Sequence, residues 1–181
     1  MINTLDDVYE LYLGEVSDIN ELLPILKKYA EDCSHITEFG TRDGISTVAF
    51  LMAKPNRLIT YDINRGSQIN ELEKLAKENL IDFSFIEKSV LEIEIEETDL
   101  LFIDTLHTYD QLKQELLLHG NKAKKYIILH DTETFGCKGC YGVEPGLNKA
   151  IEEFVANNNW RIKEVITINN GLTVLERTKE I

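Results

Sequence analysis

The chain has 181 residues, 43% of them hydrophobic and 28% charged, which suits one globular domain with a sizeable core. Its net charge of −13 at pH 7 repels phosphate backbones and anionic lipid surfaces, so a nucleic-acid or membrane partner is not expected. Three cysteines, Cys33, Cys137 and Cys140, give no disulfide framework, and the acidic N-terminus has neither a basic leader nor a long apolar run; a cytoplasmic, reducing setting is the expectation.

In chain order, residues 4–14 and 18–31 read as amphipathic helices, the second with Leu22, Leu23, Leu26 and Tyr29 at helical spacing. Residues 35–39 read as a strand and 45–54 as a helix closed by Pro55. Strand 57–63, helix 67–80 and strand 82–87 follow, then an acidic stretch, 90–99, expected to be short, solvated and irregular. Strand 99–104, helix 109–123, strand 125–130 and helix 146–158 continue the alternation. Strands 161–168 and 171–177 close the chain as a hairpin across Asn169-Asn170-Gly171. Alternating strands and helices imply a mostly parallel, doubly wound α/β sheet with helices on both faces. The continuously apolar "LITY", "LLFI" and "YIIL" fit burial on both faces, and the final hairpin adds an antiparallel strand at one edge. Residues 1–34 are expected to pack as helices on a single domain formed by 35–181.

The stretch "ITEFGTRDGIST" (36–47) runs from the first of these strands into a helix. Gly40 permits a sharp turn and close approach of a ligand to the backbone, and Gly44 permits close packing at the helix start. Ser46 or Thr47 can bond the freed amides of the first turn. The spacing is Gly-x-x-x-Gly, and Asp43 in the loop is poor company for a pyrophosphate. Glu38 can instead receive an ammonium group, directly or through water. The loop therefore suits a ligand with a nucleoside and an amino-acid part. Asp62, at the end of the second strand, is placed to accept hydrogen bonds from two ribose hydroxyls. A plain tight turn at the glycines and a turn-capping Asp62 are the alternative readings.

The series "EFGTRDGIST", "YDIN", "LLFIDTLHTYDQLKQEL", "ILHDT" and "GVEPGLNKAIEEF" resembles class I S-adenosylmethionine-dependent methyltransferases over residues 35–177. More narrowly it resembles the methyltransferase family 24 or cephalosporin-hydroxylase-like group, relatives of macrocin-type and catechol-type O-methyltransferases. The resemblance implies a Rossmann-like, seven-stranded sheet with S-adenosylmethionine over the first strands and the acceptor beside strands four and five. It implies cofactor contacts from Glu38, Gly40, Thr41, Gly44, Ser46, Asp62 and Asp104, and an adenine contact from Ser89-Val90, where many relatives carry an acid.

Asp104 and Asp131 end two strands that, as neighbours, bring two carboxylates about 4.8 Å apart at the carboxyl edge, with His107 in the same loop. Two acids and an imidazole beside a cofactor cleft can hold a divalent ion and move a proton. In the relatives, acids placed like Asp104 and Asp131 bind Mg²⁺ and a His placed like His107 is the base. The third oxygen ligand those relatives carry is missing, since His130 and Thr132 flank Asp131. The structural alternatives are that Asp104 caps the next helix, His107 bonds a backbone carbonyl and Asp131 organises a loop.

"CKGC" (137–140) has metal-knuckle spacing but lacks a second cysteine pair for zinc. The glycine-rich segment 132–146 reads as a mobile lid or acceptor loop. Tyr9, Tyr12 and Leu13 suit packing or a homo-oligomer surface, and Trp160 suits the core. The expectation is an O-methyltransferase acting on a small molecule, a sugar or a phenol. Its rivals are a nicotinamide-dependent oxidoreductase and a cofactor-binding protein without catalysis.

Overall fold

The computed structural model describes residues 4–178. Helix α1 spans Leu5–Gly14 and α2 Leu23–Ala30; strand β1 spans His35–Phe39, α3 Ile45–Met52, β2 Arg57–Asp62, α4 Ile69–Glu78 and β3 Asp82–Glu87. The second half continues with β4 Thr98–Ile103, α5 Tyr109–His119, β5 Ala123–His130, α6 Leu147–Asn157, β6 Trp160–Ile166 and β7 Leu172–Arg177. The seven strands form one sheet in the order β3-β2-β1-β4-β5-β7-β6. The first five are parallel, and β7 runs antiparallel to both β5 and β6. The hairpin expected at the edge is therefore there, with β7 as its antiparallel strand and β6 outermost.

Alternation along each strand divides the core in two. Ile36, Leu58, Leu100 and Phe102 face α1 to α4, meeting Leu22, Leu26, Phe50, Leu51, Leu72 and Leu75. Phe39, Tyr61, Leu101 and Ile103 face α5 and α6, meeting Leu112, Leu116, Ile151, Phe154 and Trp160. Phe50 and Phe102 meet edge-on at 5.4 Å between centroids. Both are fully buried, so truncating Phe102 to alanine should cost about 3–5 kcal/mol. Tyr9 is buried in the first cluster, with Tyr12 and Leu13 packed against it, which is the packing role expected of that face.

Local chemistry sets the helix ends. Thr4 and Asp7 form a reciprocal cap on α1, each side chain accepting the other's backbone N–H. The expected helix over 18–31 is split: a 3₁₀ turn covers Asn20–Leu22, and α2 proper opens with Pro24 in its first turn. The acidic stretch after β3 makes one 3₁₀ turn, Val90–Glu92, before β4, but it buries Val90 and Ile95.

The chain leaves β1 towards β2 and β3 on one side, and continues through β4 and β5 on the other. The order reverses between β1 and β4, so a crevice opens at their carboxyl ends, where open α/β sheets hold ligands. None of the helices among the described residues is long and apolar enough to cross a membrane.

Candidate functional site

The glycine loop after β1 forms the floor of that crevice. Gly40 has φ +86°, and a Cβ there would lie 1.7 Å from the carbonyl oxygen of Asp104. Its backbone passes against the end of β4, so the close approach that demands glycine is to protein. Gly44, at φ +81°, would drive a Cβ to 2.3 Å from Leu72 Cδ1, which is the close helix packing expected of it. Ser46 and Thr47 do not cap the amides of α3. Their hydroxyls donate to Glu38 at 2.5 and 2.6 Å. Glu38 is fully buried, and burial pushes its carboxyl up to about 8 against the pull of those two bonds. It therefore lies beneath the loop with both oxygens engaged. Ser46, to which Glu38 is bonded, lines the crevice, whereas Glu38 itself does not.

Two cavities share this crevice. One, about 430 Å³, is lined by Gly40, Tyr61, Asp62, Ser89, Val90 and Asp104 among others. The other, about 300 Å³, is lined by Asp18, Thr41, Arg42, Asp43, Ser46 and Asp104 among others. Gly40, Arg42 and Asp104 belong to both, so the two make one bent groove. Its size falls within the usual ligand range of about 300–1,000 Å³. Asp62 accepts the Arg42 amide at 2.8 Å and the Asn64 amide at 3.0 Å. It is thus a turn residue and a groove residue at once, each carboxylate oxygen keeping a second lone pair for a ligand. Ser89 caps the Val90–Glu92 turn by accepting the Leu91 amide at 3.3 Å.

The sequence did not announce Arg42 as a wall of the groove; it spans both cavities and pairs with Asp18 at 3.6 Å. A larger recess, about 540 Å³, opens by Lys124, Arg161 and Arg177. Lys124 sits near the start of β5, the sheet end away from the crevice, and the lysine and Arg161 are paired with Glu97 and Glu176 at 2.8 and 2.5 Å. No histidine lines it among the described residues; the carboxylate–imidazole cluster lies beside the smaller groove.

At the groove's inner end β4 and β5 bring the acids together. His107 Nε2 lies 3.2 Å from Asp104 Oδ1 and 2.6 Å from Asp131 Oδ2. Thr108 caps α5 by accepting the Gln111 amide, so Asp104 is free of that task. His107 bonds carboxylates rather than a backbone carbonyl. Burial works against a charge on the ring, but the two carboxylates outweigh it and raise its pKa to about 10. Burial likewise works against ionised Asp104, yet His107 and His130 hold its carboxyl well below the usual carboxylate range.

His130, read in sequence only as a flank of Asp131, is a full member of the cluster. Its Nδ1 lies 3.2 Å from Asp104 Oδ2, and its Nε2 lies 3.1 Å from the carbonyls of Asp18 and Asn169. Burial lowers its basicity, but Asp104 wins and raises it to about 9. Its membership rests on contact with Asp104, 26 residues away, across the β4–β5 pairing, so no local pattern shows it.

Asp131 is held at φ +63°, a strained setting for a residue with a Cβ, and its buried Oδ1 has no hydrogen-bond partner. Ligand atoms of Asp104, His107 and Asp131 lie within 4.8 Å of one another. With an orphaned carboxylate oxygen, this donor set fits a divalent ion. The nitrogen donor and the missing third acid favour a transition ion over Mg²⁺.

The segment expected to be a mobile lid or acceptor loop bonds to the site through its backbone. Phe135 N–H donates to Asp131 O, Gly146 N–H to Cys137 O, and Cys140 N–H to His107 O. Phe135 stacks on the His107 ring at 4.7 Å, and Cys140 Sγ lies 3.7 Å from His107 Nδ1. Cys137 and Cys140 are both free thiols.

The sheet order, the crevice at the switch point and the helical layers define the Rossmann-like methyltransferase fold. Among solved structures, the chain is similar to an SAH-bound methyltransferase, PaMTH1, from Podospora anserina, with 16% identity, 99% of this chain and 89% of that one covered, and a TM-score of 0.64. It is also similar to an O-methyltransferase from Bacillus cereus in complex with SAH, at 15% identity over 96% and 90% of the two chains and a TM-score of 0.63. A third is 1,6-didemethyltoxoflavin-N1-methyltransferase from Burkholderia thailandensis, at 14% identity over 90% and 79% and a TM-score of 0.68. No protein-family model matches the sequence, and no curated protein matches it.

Proposed function

We propose that this protein is an S-adenosylmethionine-dependent methyltransferase that methylates a hydroxyl of a small molecule, a phenol or a sugar. One observation carries the reading: Asp104 lines both halves of the groove and also pairs with His107 and His130. A cofactor in the groove then has its reactive end beside the titratable cluster. The 430 Å³ cavity takes the nucleoside, with Asp62 on the ribose and Ser89 and Val90 at the adenine. The 300 Å³ cavity takes the amino-acid end, where Arg42, Asp18 and Asp43 offer both signs of charge to a zwitterion. Glu38 acts through Ser46 by fixing the loop. The nicotinamide alternative gains no support from Asp18 and Asp43, which would face a pyrophosphate.

Methyl transfer forms a carbon–oxygen bond in line with the breaking carbon–sulfur bond, and it needs alignment and a base for the acceptor's proton. His107 is that base in its neutral form. The two carboxylates make it a strong one, at the cost that near neutrality it already holds a proton. Asp104 and Asp131 orient the ring. Alternatively Asp104, His107 and Asp131 would hold a divalent ion, and the ion in place of the imidazole would then supply the lowering of the acceptor hydroxyl's pKa. The likeness to both O- and N-methyltransferases leaves the acceptor atom to this cluster: a negatively flanked imidazole suits a hydroxyl that must lose a proton.

Calorimetry with S-adenosylhomocysteine and, separately, NAD⁺ tests the cofactor. Binding of the first and not the second is expected; the reverse would refute the reading. Transfer of a labelled methyl group to a panel of phenols and sugars, lost in H107A and D131N, tests the reaction and excludes a merely cofactor-binding role.

A further inference from the structure

Glu115 on α5 has none of its surface exposed, a rare place for a carboxyl group without a cationic partner. Its Oε1 accepts from Thr105 Oγ1 at 2.7 Å and from Gln111 Nε2 at 2.8 Å. Its Oε2 is buried with no hydrogen-bond partner. Thr105 and Gln111 both line the 430 Å³ cavity, whereas Glu115 does not. It lines instead a small recess of about 10 Å³ with Leu112, Leu129, Asp104 and His107. Burial raises its pKa to about 7, only partly offset by the bonds from Gln111 and Thr105. Near neutrality the group is thus about half in the uncharged acid form, which is similar in shape to a glutamine.

A leucine here would pack among Leu112, Leu116 and Leu129 without the cost of a buried, half-satisfied carboxyl. Stability alone therefore gives no reason for Glu115. Its two bonds do something packing cannot: they pull one side chain from the loop after β4 and one from the first turn of α5 to a single oxygen. Both side chains line the cavity that Asp62 and Ser89 also line.

We propose that Glu115 is a positioning residue for the bound nucleoside, fixing Thr105 and Gln111 at the groove wall; this rests on the reading of the groove as the S-adenosylmethionine site. Thr105 immediately follows Asp104, so the same bond also steadies the loop that carries the titratable cluster. No local pattern signals it, because an acid on an amphipathic helix reads as a solvated face.

The test is S-adenosylhomocysteine affinity by calorimetry, with thermal melting alongside, for wild type, E115Q, E115L, T105V and E115L/T105V. Glutamine keeps the acceptor oxygen, so E115Q should bind within about threefold of wild type. E115L and T105V should each weaken binding about tenfold, the equivalent of one lost hydrogen bond, without a lower melting temperature in E115L. Because both break the same link, the double variant should be no more than about twofold weaker than either single one. Wild-type affinity in E115L, failure of E115Q to rescue, or additive losses in the double variant would overturn the inference. If E115L does not fold, T105V decides alone: unchanged affinity overturns it. If wild type itself does not bind, the groove reading fails first and takes this one with it.

Discussion

Replacing Glu38 by glutamine should remove a pH dependence of stability that this single carboxyl imposes. Glu38 is fully buried, and its pKa rises from 4.5 to about 8 because burial outweighs the hydroxyl bonds from Ser46 and Thr47. Unfolded, the group ionises near its ordinary value. Between about 4.5 and 8 the folded state therefore holds a proton that the unfolded state has released. Stability falls as pH rises through that window and levels off above it. At about 1.4 kcal/mol for each pH unit, the whole effect is on the order of 5 kcal/mol. Glutamine has no charge to bury, and its carbonyl still accepts from one hydroxyl. Urea unfolding at pH 5, 7 and 9 measures both proteins. Subtracting one profile from the other cancels the contributions of His107 and His130, which run the same way: present below about 6.5 and lost as pH rises through about 9 and 10. The difference should move in favour of E38Q by several kcal/mol between pH 5 and 9. Parallel profiles would mean that Glu38 ionises without penalty, and the argument for a buried, neutral acid beneath the loop would fail. E38A should be less stable than E38Q at every pH, since it strands two hydroxyls.

Asp62→Asn should weaken S-adenosylhomocysteine binding about 10- to 100-fold, the range expected when hydrogen bonds to a charged acceptor are lost; affinity like wild type would remove the ribose contact. Turnover should rise roughly tenfold per pH unit towards about pH 10 as His107 loses its proton, and this rise should be absent in H107A. A profile already flat at neutral pH would show that the imidazole is not the base. Gly40→Ala would set a Cβ 1.7 Å from the Asp104 carbonyl oxygen at a positive φ, whereas Gly14 has open space around it. G40A should therefore lose about 3 kcal/mol or more, lowering the melting temperature by about 6–12 °C, with G14A unchanged. Binding of Mn²⁺ or Zn²⁺ to Asp104, His107 and Asp131 should release about one proton at pH 7, be tighter than Mg²⁺ and vanish in D131A. Calorimetry in two buffers of different ionisation enthalpy reads the proton count.

By itself the sequence determined what depends on neighbours along the chain. Apolar runs such as "LITY" and "YIIL" can be satisfied only when both faces are covered, and they became β2 and β5, both interior strands of the sheet. The period of α4 and the turn at Asn169-Asn170-Gly171 are equally local. So is the strand–helix alternation that, by making the strands parallel, puts Asp62, Asp104 and Asp131 at the carboxyl end of the sheet. Tertiary structure decided the partners. Ser46 and Thr47 look like helix caps until Glu38 is found beneath them. Gly40 lines the groove, but what forbids a side chain there is the Asp104 carbonyl, which no sequence spacing reveals. His130 becomes part of the cluster only because β5 lies beside β4 and the N-terminal turn at Asp18 closes over it. The physical reason is the same each time. Backbone preference and periodicity act over a few residues, whereas burial, hydrogen-bond satisfaction and charge depend on atoms brought together from distant parts of the chain.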